Sequence, residues 1–258
     1  MSPLFSLDGK TAIITGSSRG IGYAIALEMA RAGARVVVSS RKQPACEEAA
    51  ARINAETGRD AATALAASIS DKAALQSLVK QTEARLGPVD ILVCNAASNP
   101  YYGPLTEIPD ERFRKILDNN VIANNWLIGM VLPQMRARKE GAIVIVSSIG
   151  GLVGSPVIGA YNISKAADMQ LARNLAVELG PDNIRVNCIA PGLIKTDFSK
   201  ALWDDPETYG TYMRATPLKR MGAPNEIAGA AVFLAAPAGA FVTGQTLVVD
   251  GGTTIQGV

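Results

Sequence analysis

Short runs of continuous Val, Ile and Ala alternate along the whole chain with longer stretches of helical periodicity. Thr11–Thr15 (Thr-Ala-Ile-Ile-Thr) and residues 35–40, 91–95, 142–147, 184–190 and 246–250 read as strands, with a weaker one at 61–67. Helices are predicted between them over Gly20–Arg31, 44–56, 109–135 and 160–179, with one opened by Asp71 as N-cap and another beginning near Pro224. Strands that are apolar throughout, rather than at every second residue, are covered on both faces. Repeated βα units of this kind predict a single α/β domain over residues 1–258, a doubly wound parallel sheet of about seven strands with helices on both faces. Right-handed crossovers then leave a ligand crevice at the carboxyl ends of the strands. No repeat, low-complexity tract or Pro/Ser-rich linker divides the 258 residues.

The first strand runs into Thr15-Gly-Ser-Ser-Arg-Gly-Ile-Gly22, and that turn opens a helix. Glycines let the backbone approach a pyrophosphate, and the helix N-terminus offers free N–H groups with a positive dipole end. Three glycines alone are weak evidence; a strand before them and a helix after them make a dinucleotide site. Gly16, Ser18, Arg19, Gly20, Ile21 and Gly22 are the candidate contacts. An NAD site carries an acidic residue about 20 positions on, for the ribose 2′-OH. Here the second strand ends Ser39-Ser40-Arg41-Lys42 without a carboxylate. Arg19, Ser40 and Arg41 suit a 2′-phosphate instead, so NADP(H) is favoured over NAD(H). The competing reading makes both arginines ordinary solvated loop residues.

The chain has no histidine, which removes a Ser-His-Asp triad, a Cys-His pair, His-ligated zinc and an imidazole base together. Cys46, Cys94 and Cys188 are scattered and form no metal motif; they read as buried thiols of a reducing, cytoplasmic compartment. A net charge of +2 is too even for nucleic-acid binding, and no apolar stretch is long enough for a membrane helix. Met1 to Lys10 lack the pattern of a signal peptide, and the closing Thr-Ile-Gln-Gly-Val carries no peroxisomal address. The acid/base candidate is Tyr161-Asn-Ile-Ser-Lys165, whose Tyr and Lys share a helix face. A phenol ordinarily keeps its proton to about pH 10, and an ammonium beside it favours the phenolate. Ser148 ends a buried strand 13 residues earlier (161 − 148) and can hold a carbonyl oxygen next to the phenol. The pair of residues alone is close to noise; its company gives it meaning.

With these residues in place the chain resembles the short-chain dehydrogenases/reductases, which share the Rossmann arrangement. The likeness spans the length: the glycine turn, Asn95-Ala96-Ala97, Asn120, Ser148, Tyr161/Lys165, Pro191-Gly192 and Val249-Asp250-Gly251-Gly252. It implies Tyr161 as proton donor to a carbonyl, Lys165 as holder of the nicotinamide ribose and tuner of Tyr161, and Ser148 as orienter of the substrate oxygen. Asn120 would anchor a water that relays protons from Lys165; its competing role is a polar kink in a long helix, where Asn is a poor former. Asn95, Ala96, Pro191, Gly192, Ile194 and Thr196 join the cofactor set. The chain departs from the family pattern at Ala97, where glycine is usual, and at Ser68-Ile69, where an adenine-side Asp is usual. The stretch from Asn183 to Trp203 is similar to the NADP-dependent retinol dehydrogenase/carbonyl reductase group, which implies reduction of ketones or aldehydes with hydrophobic substituents.

Residues 196–214 concentrate the scarce aromatics, and the family reading makes them a lid over the substrate. Phe198, Leu202, Trp203 and Met213 would line the pocket, with Val153 and Tyr102 as further walls; the competing reading is a helix pair packed on the core. The exposed edge of the last strand calls for a cover, and the family implies a homotetramer. Two other functions remain open. A 3-oxoacyl-thioester (acyl-carrier-protein) reductase would want a basic entrance, whereas Lys195, Lys200 and Arg214 are scattered. A non-catalytic NADP(H)-sensing regulator would want a broken Ser/Tyr/Lys set, which here is complete.

Overall fold

The computed structural model describes residues 2–255; the end of the tail read for a peroxisomal address (256–258) lies outside the described residues. Seven strands form one parallel sheet in the order β3-β2-β1-β4-β5-β6-β7. They are β1 (Thr11–Thr15), β2 (Arg35–Ser39), β3 (Ala62–Ala64), β4 (Ile91–Cys94), β5 (Gly141–Val146), β6 (Ile184–Pro191) and β7 (Thr246–Val249). Strand order reverses between β1 and β4, where Ala12 pairs with Ile91 and Ile14 with Val93. That reversal opens the crevice in which doubly wound sheets bind ligands.

The apolar runs divide by parity into two cores, because successive side chains of a strand point to opposite faces. Ile14, Val36, Val38, Val93 and Val144 pack with α1 (Gly20–Arg31), α2 (Gln43–Thr57) and the later helix over Pro224–Ala235. Ile13, Val37, Leu92, Ile143, Ile145 and Val186 pack on the other side with α3 (Lys72–Leu86) and with the helices over Ala123–Arg138 and Gly159–Leu179. Each fully buried Ile, Leu or Val contributes about 1.5–3 kcal/mol relative to exposure. Asp71 caps α3 as expected, its carboxylate accepting from the amides of Ala73 and Ala74.

Two expectations are corrected. The weak strand over 61–67 shrinks to Ala62–Ala64, an outer strand of small residues with little apolar area to hold more. The single helix over 109–135 is α4 (Asp110–Leu117), a π-helical turn over Asp118–Ile122, and α5 (Ala123–Arg138). The remaining helices are α6 (Gly159–Leu179), α7 (Lys200–Trp203), α8 (Pro206–Ala215) and α9 (Pro224–Ala235). Among the described residues no helix is long and apolar enough to cross a membrane.

Candidate active site

The ends of β1, β4, β5 and β6 deliver their loops to one edge of the sheet. Gly16 turns the chain at the end of β1 with φ +65°, a left-handed conformation that favours glycine. A Cβ on Gly22 would lie 2.5 Å from both the Gly16 carbonyl oxygen and Asn95 Nδ2, so the turn closes only around bare backbone. Asn95 makes that closure: its Nδ2 donates to the carbonyls of Thr15 (2.8 Å) and Gly16 (3.2 Å). Thr15 Oγ1 in turn accepts from the amides of Asn95 and Ala96. Ser17, unremarked in the sequence, bolts the turn to β2, accepting from the Ser39 amide at 2.9 Å. The first amides of α1 have no intrahelical partner, and the Arg19 side chain does not cap them.

Thr196 sits over this turn, its Cγ2 3.5 Å from where a Cβ of Gly20 would stand. Pro191 ends β6, and the Gly192 amide donates to Val249 O at 3.0 Å beside β7. Ile194 is buried, bridged to Gly222. Ser18 is half-buried in the turn and Ile21 packs against the core, while Ser40 rests its hydroxyl 3.2 Å from Cys46 Sγ. Arg41 is exposed. Arg19 also faces solvent and pairs with Asp197 of the lid, Nη1 to Oδ2 at 3.2 Å, a contact across 178 residues.

Tyr161 and Lys165 rise from the first turns of α6, one face apart by a single turn. Lys165 Nζ lies 5.6 Å from the Tyr161 ring centroid, and the Phe198 ring stands over Tyr161 at 6.2 Å between centroids. Ser148 follows β5 and accepts from the Gly150 amide at 3.0 Å, which holds its hydroxyl in a short turn. Its neighbour Ser147 donates to Lys165 O at 2.8 Å and ties β5 to α6. Lys165 is only 2% exposed. Nζ donates to Val146 O at 2.9 Å and to Asp168 Oδ2 at 3.1 Å. Burial alone would push this ammonium down; the charges of Asp168 and Tyr161 and the Asp168 hydrogen bond more than reverse that, and the proton is held above the ordinary lysine range.

Asn120 is fully buried on the π-helical turn. Its Oδ1 accepts from Ser98 N at 2.8 Å, and its Nδ2 donates to Ser98 O at 3.1 Å and to Ser164 Oγ at 3.0 Å. The side chain therefore holds the loop after β4 against α6, and Ser164 passes the contact on by donating to Tyr161 O. Asn120 thus stands on a polar irregularity in the long helix, and its side chain reaches toward the site.

The segment 196–214, expected as a lid, is built from a short turn at Asp197–Ser199, α7 and α8. Phe198 comes to Tyr161. Trp203 donates from Nε1 to Thr196 O at 3.3 Å and lies under Lys195, which fixes the base of the lid. Leu202 and Met213 are half-buried, and Val153 is half-exposed with its carbonyl held by Asn162 Nδ2. The sequence reading passed over Tyr212. Its phenol is pushed up first by burial and then by the nearby phenol of Tyr102. Asp168 was missed as well, although it falls one turn after Lys165 in the same helix.

Cleared backbone at one strand end and a tyrosine–lysine pair beyond the next define a class of protein: an oxidoreductase working on a bound dinucleotide. The comparisons agree. Residues 16–254 match the family described as enoyl-(acyl carrier protein) reductase. Dehydrogenase/reductase SDR family member 4 of Bos taurus is 44% identical over 247 residues, covering 96% of this chain and 88% of that protein, and its Homo sapiens counterpart is 42% identical over the same spans. A gluconate 5-dehydrogenase from Burkholderia cenocepacia, solved with NADP and tartrate, superposes with a TM-score of 0.94 at 34% identity, covering 99% of each chain. A 7α-hydroxysteroid dehydrogenase, solved with NADH and 7-oxo glycochenodeoxycholic acid, gives 0.93 at 39% identity over 98% of this chain and 97% of that one. The chain belongs to the short-chain dehydrogenase/reductase family, and is an NAD(P)-dependent oxidoreductase acting on CH–OH/C=O groups.

Proposed function

We propose that the protein is an NADPH-dependent carbonyl reductase, running reversibly as an alcohol dehydrogenase on ketones, aldehydes or secondary alcohols with hydrophobic substituents. The observation that carries this reading is the Phe198 ring poised 6.2 Å from Tyr161, with Lys165 buried behind it. With Phe198 beside the proton donor, an apolar group flanking the carbonyl would gain from burial there.

Fit to a dinucleotide is supported by the turn that a Cβ at Gly16 or Gly22 would fill, and by the open N-terminus of α1. The pyrophosphate would lie on Gly16, Ser18, Arg19, Gly20, Ile21 and Gly22, and the nicotinamide half on Asn95, Ala96, Pro191, Gly192, Ile194 and Thr196. Ser40 and Arg41, with Arg19, would take the 2′-phosphate, for which Arg19 would give up its Asp197 partner. When bound, the nicotinamide supplies the hydride for the carbonyl carbon. Tyr161 gives its proton to the carbonyl oxygen, Ser148 holds that oxygen in line, and Lys165 holds the ribose and steadies the oxygen left on Tyr161. Asn120 keeps the loop after β4 and α6 in register around this set. Phe198, Leu202, Trp203 and Met213, with Val153, form the substrate side and exclude water.

Purified protein is expected to oxidise NADPH with some member of a panel of aromatic ketones and hydrophobic diketones. Tight NADPH binding with no turnover across the panel would favour the sensing regulator instead. Arg41→Asp is expected to move preference toward NADH by at least tenfold, about 1.4 kcal/mol, read as the ratio of kcat/KM for the two cofactors. A wild-type preference for NADH would defeat the assignment of residues 39–42. Scattered lid bases, with Lys200 paired to Asp204, give the acyl-carrier-protein reading little support. We place the protein in the cytoplasm as a homotetramer: its three cysteines are free and buried, and the β7 edge beside the fully exposed Phe241 suits a symmetric partner. Sedimentation tests the assembly.

A further inference from the structure

Beneath the candidate site lies a carboxylate that the proposed chemistry does not use. Asp168 is 0% exposed and shares one face of α6 with Tyr161 and Lys165, at spacings of four and three residues. Its Oδ2 accepts from Lys165 Nζ at 3.1 Å, and its Oδ1 accepts from Asn124 Nδ2 of α5 at 3.1 Å. Lys165 Nζ and Asn124 Nδ2 both donate to this carboxyl, an arrangement that favours its ionised form. Asn124 Nδ2 also donates to Asn120 O at 2.6 Å. Side chains of the protein therefore link the Asn120 carbonyl to the Lys165 ammonium, across the stretch where a water was expected.

Among the described residues, Lys165 is the one charged side chain shown bonded to Asp168. Tyr161 faces Lys165 from the same helix. From β6, Cys188 donates to Asp168 O at 3.4 Å, and Cys94 stands on β4; burial first, and then Asp168, push both thiols far up, so both are neutral. β5 offers the Val146 carbonyl, and Asn120 and Asn124 are uncharged. Arg173, a turn further along α6, is exposed and held by Gln170.

We infer that Asp168 is a positioning residue of this site: its carboxylate pins Lys165 as an ammonium against β5 and sets the pH at which the Tyr161/Lys165 pair releases its first proton. The inference rests on the roles proposed for Tyr161 and Lys165. A negative charge stabilises the fully protonated pair. Removing it lets the first proton leave at lower pH, whichever of the two groups gives it up. Opposite charges at this range move a titration by about one to three pH units. Burial pushes Asp168 itself up, and Lys165 and Asn124 offset only part of that rise.

Asp168→Asn keeps the shape and deletes the charge. Ultraviolet difference titration against Tyr161→Phe reports the phenolate, and the 13Cε resonance of Lys165, assigned by its loss in Lys165→Met, reports the amine; neither needs a substrate. The lower of the two midpoints is expected to fall by about one to three pH units in Asp168→Asn and to return in Asp168→Glu. Midpoints that coincide with the wild-type values would overturn the inference, as would an Asp168→Glu protein that titrates like Asp168→Asn. Should Asp168→Asn not fold, the wild-type resonance decides: a Lys165 that titrates below the ordinary lysine value of about 10.4 would overturn it equally. A fully active Tyr161→Phe enzyme would remove the mechanism on which it rests; unchanged titrations with an inactive Tyr161→Phe would remove only the role of Asp168.

Discussion

Tyr161→Phe is expected to lower kcat for ketone reduction by about 10²–10⁴-fold while leaving NADPH affinity within a few-fold of wild type. The substitution deletes one oxygen and keeps the ring, so the 6.2 Å packing against Phe198 and the place of Lys165 behind it survive. What is lost is the proton donor, and the chain offers no replacement: it has no histidine, and the Ser148 hydroxyl is a poor acid at neutral pH. Because the phenol acts on charge that develops only as the carbonyl is reduced, the loss falls on kcat and kcat/KM together rather than on KM. Single-turnover rates at saturating NADPH check this, with fluorescence titration for cofactor binding. Undiminished turnover would show that Tyr161 is not the acid.

Sheet and helix layers were legible because Ile13/Ile14, Val36–Val38, Leu92/Val93 and Ile143–Val146 are apolar without interruption, a pattern that only two covered faces explain. The outer strand β3 was overdrawn because small residues such as Ala62 and Ala64 give weak evidence of where pairing stops. The π-helical turn left one trace, Asn120 inside a helix it favours poorly, but not its form: the flanking residues, Leu117 at φ −66°, ψ −43° and Ala123 at φ −62°, ψ −38°, are ordinary helix, and the change lies in which carbonyl each amide reaches. Asp168 was legible in principle. A carboxylate at Lys165 + 3, immediately before the buried Met169, has no apolar role on that face and needs a cation. Reading the Tyr-x-x-x-Lys spacing as complete at Lys165 hid it. The Arg19–Asp197 pair joins distant segments and belongs to tertiary structure alone.

Asn120→Leu is expected to cost about 3 kcal/mol of stability and most of the activity together. Leucine fills much the same volume in a fully buried position, so the loss comes from polarity rather than from a void. Three hydrogen bonds disappear, to Ser98 N, Ser98 O and Ser164 Oγ, each worth about 1 kcal/mol net, with more where a partner stays unpaired. For a chain of this size that lowers the melting temperature by about 6–12 °C. The activity falls for a connected reason. Asn120 is the only side chain in the described network that joins the loop after β4, through Ser98, to Ser164 on the turn of α6 carrying Tyr161. Its own carbonyl holds Asn124, and Asn124 holds Asp168 under Lys165. Leucine keeps that main-chain carbonyl, so the loss falls on Ser164 and the turn of α6 that carries Tyr161. Asn119→Ala is the control: it removes one bond, Nδ2 to Ser98 Oγ at 2.9 Å, and is expected to cost about 1 kcal/mol with kcat nearly unchanged. Thermal melts of both variants beside their kcat values check the contrast; equal losses in the two would show that Asn120 packs the helix without organising the site.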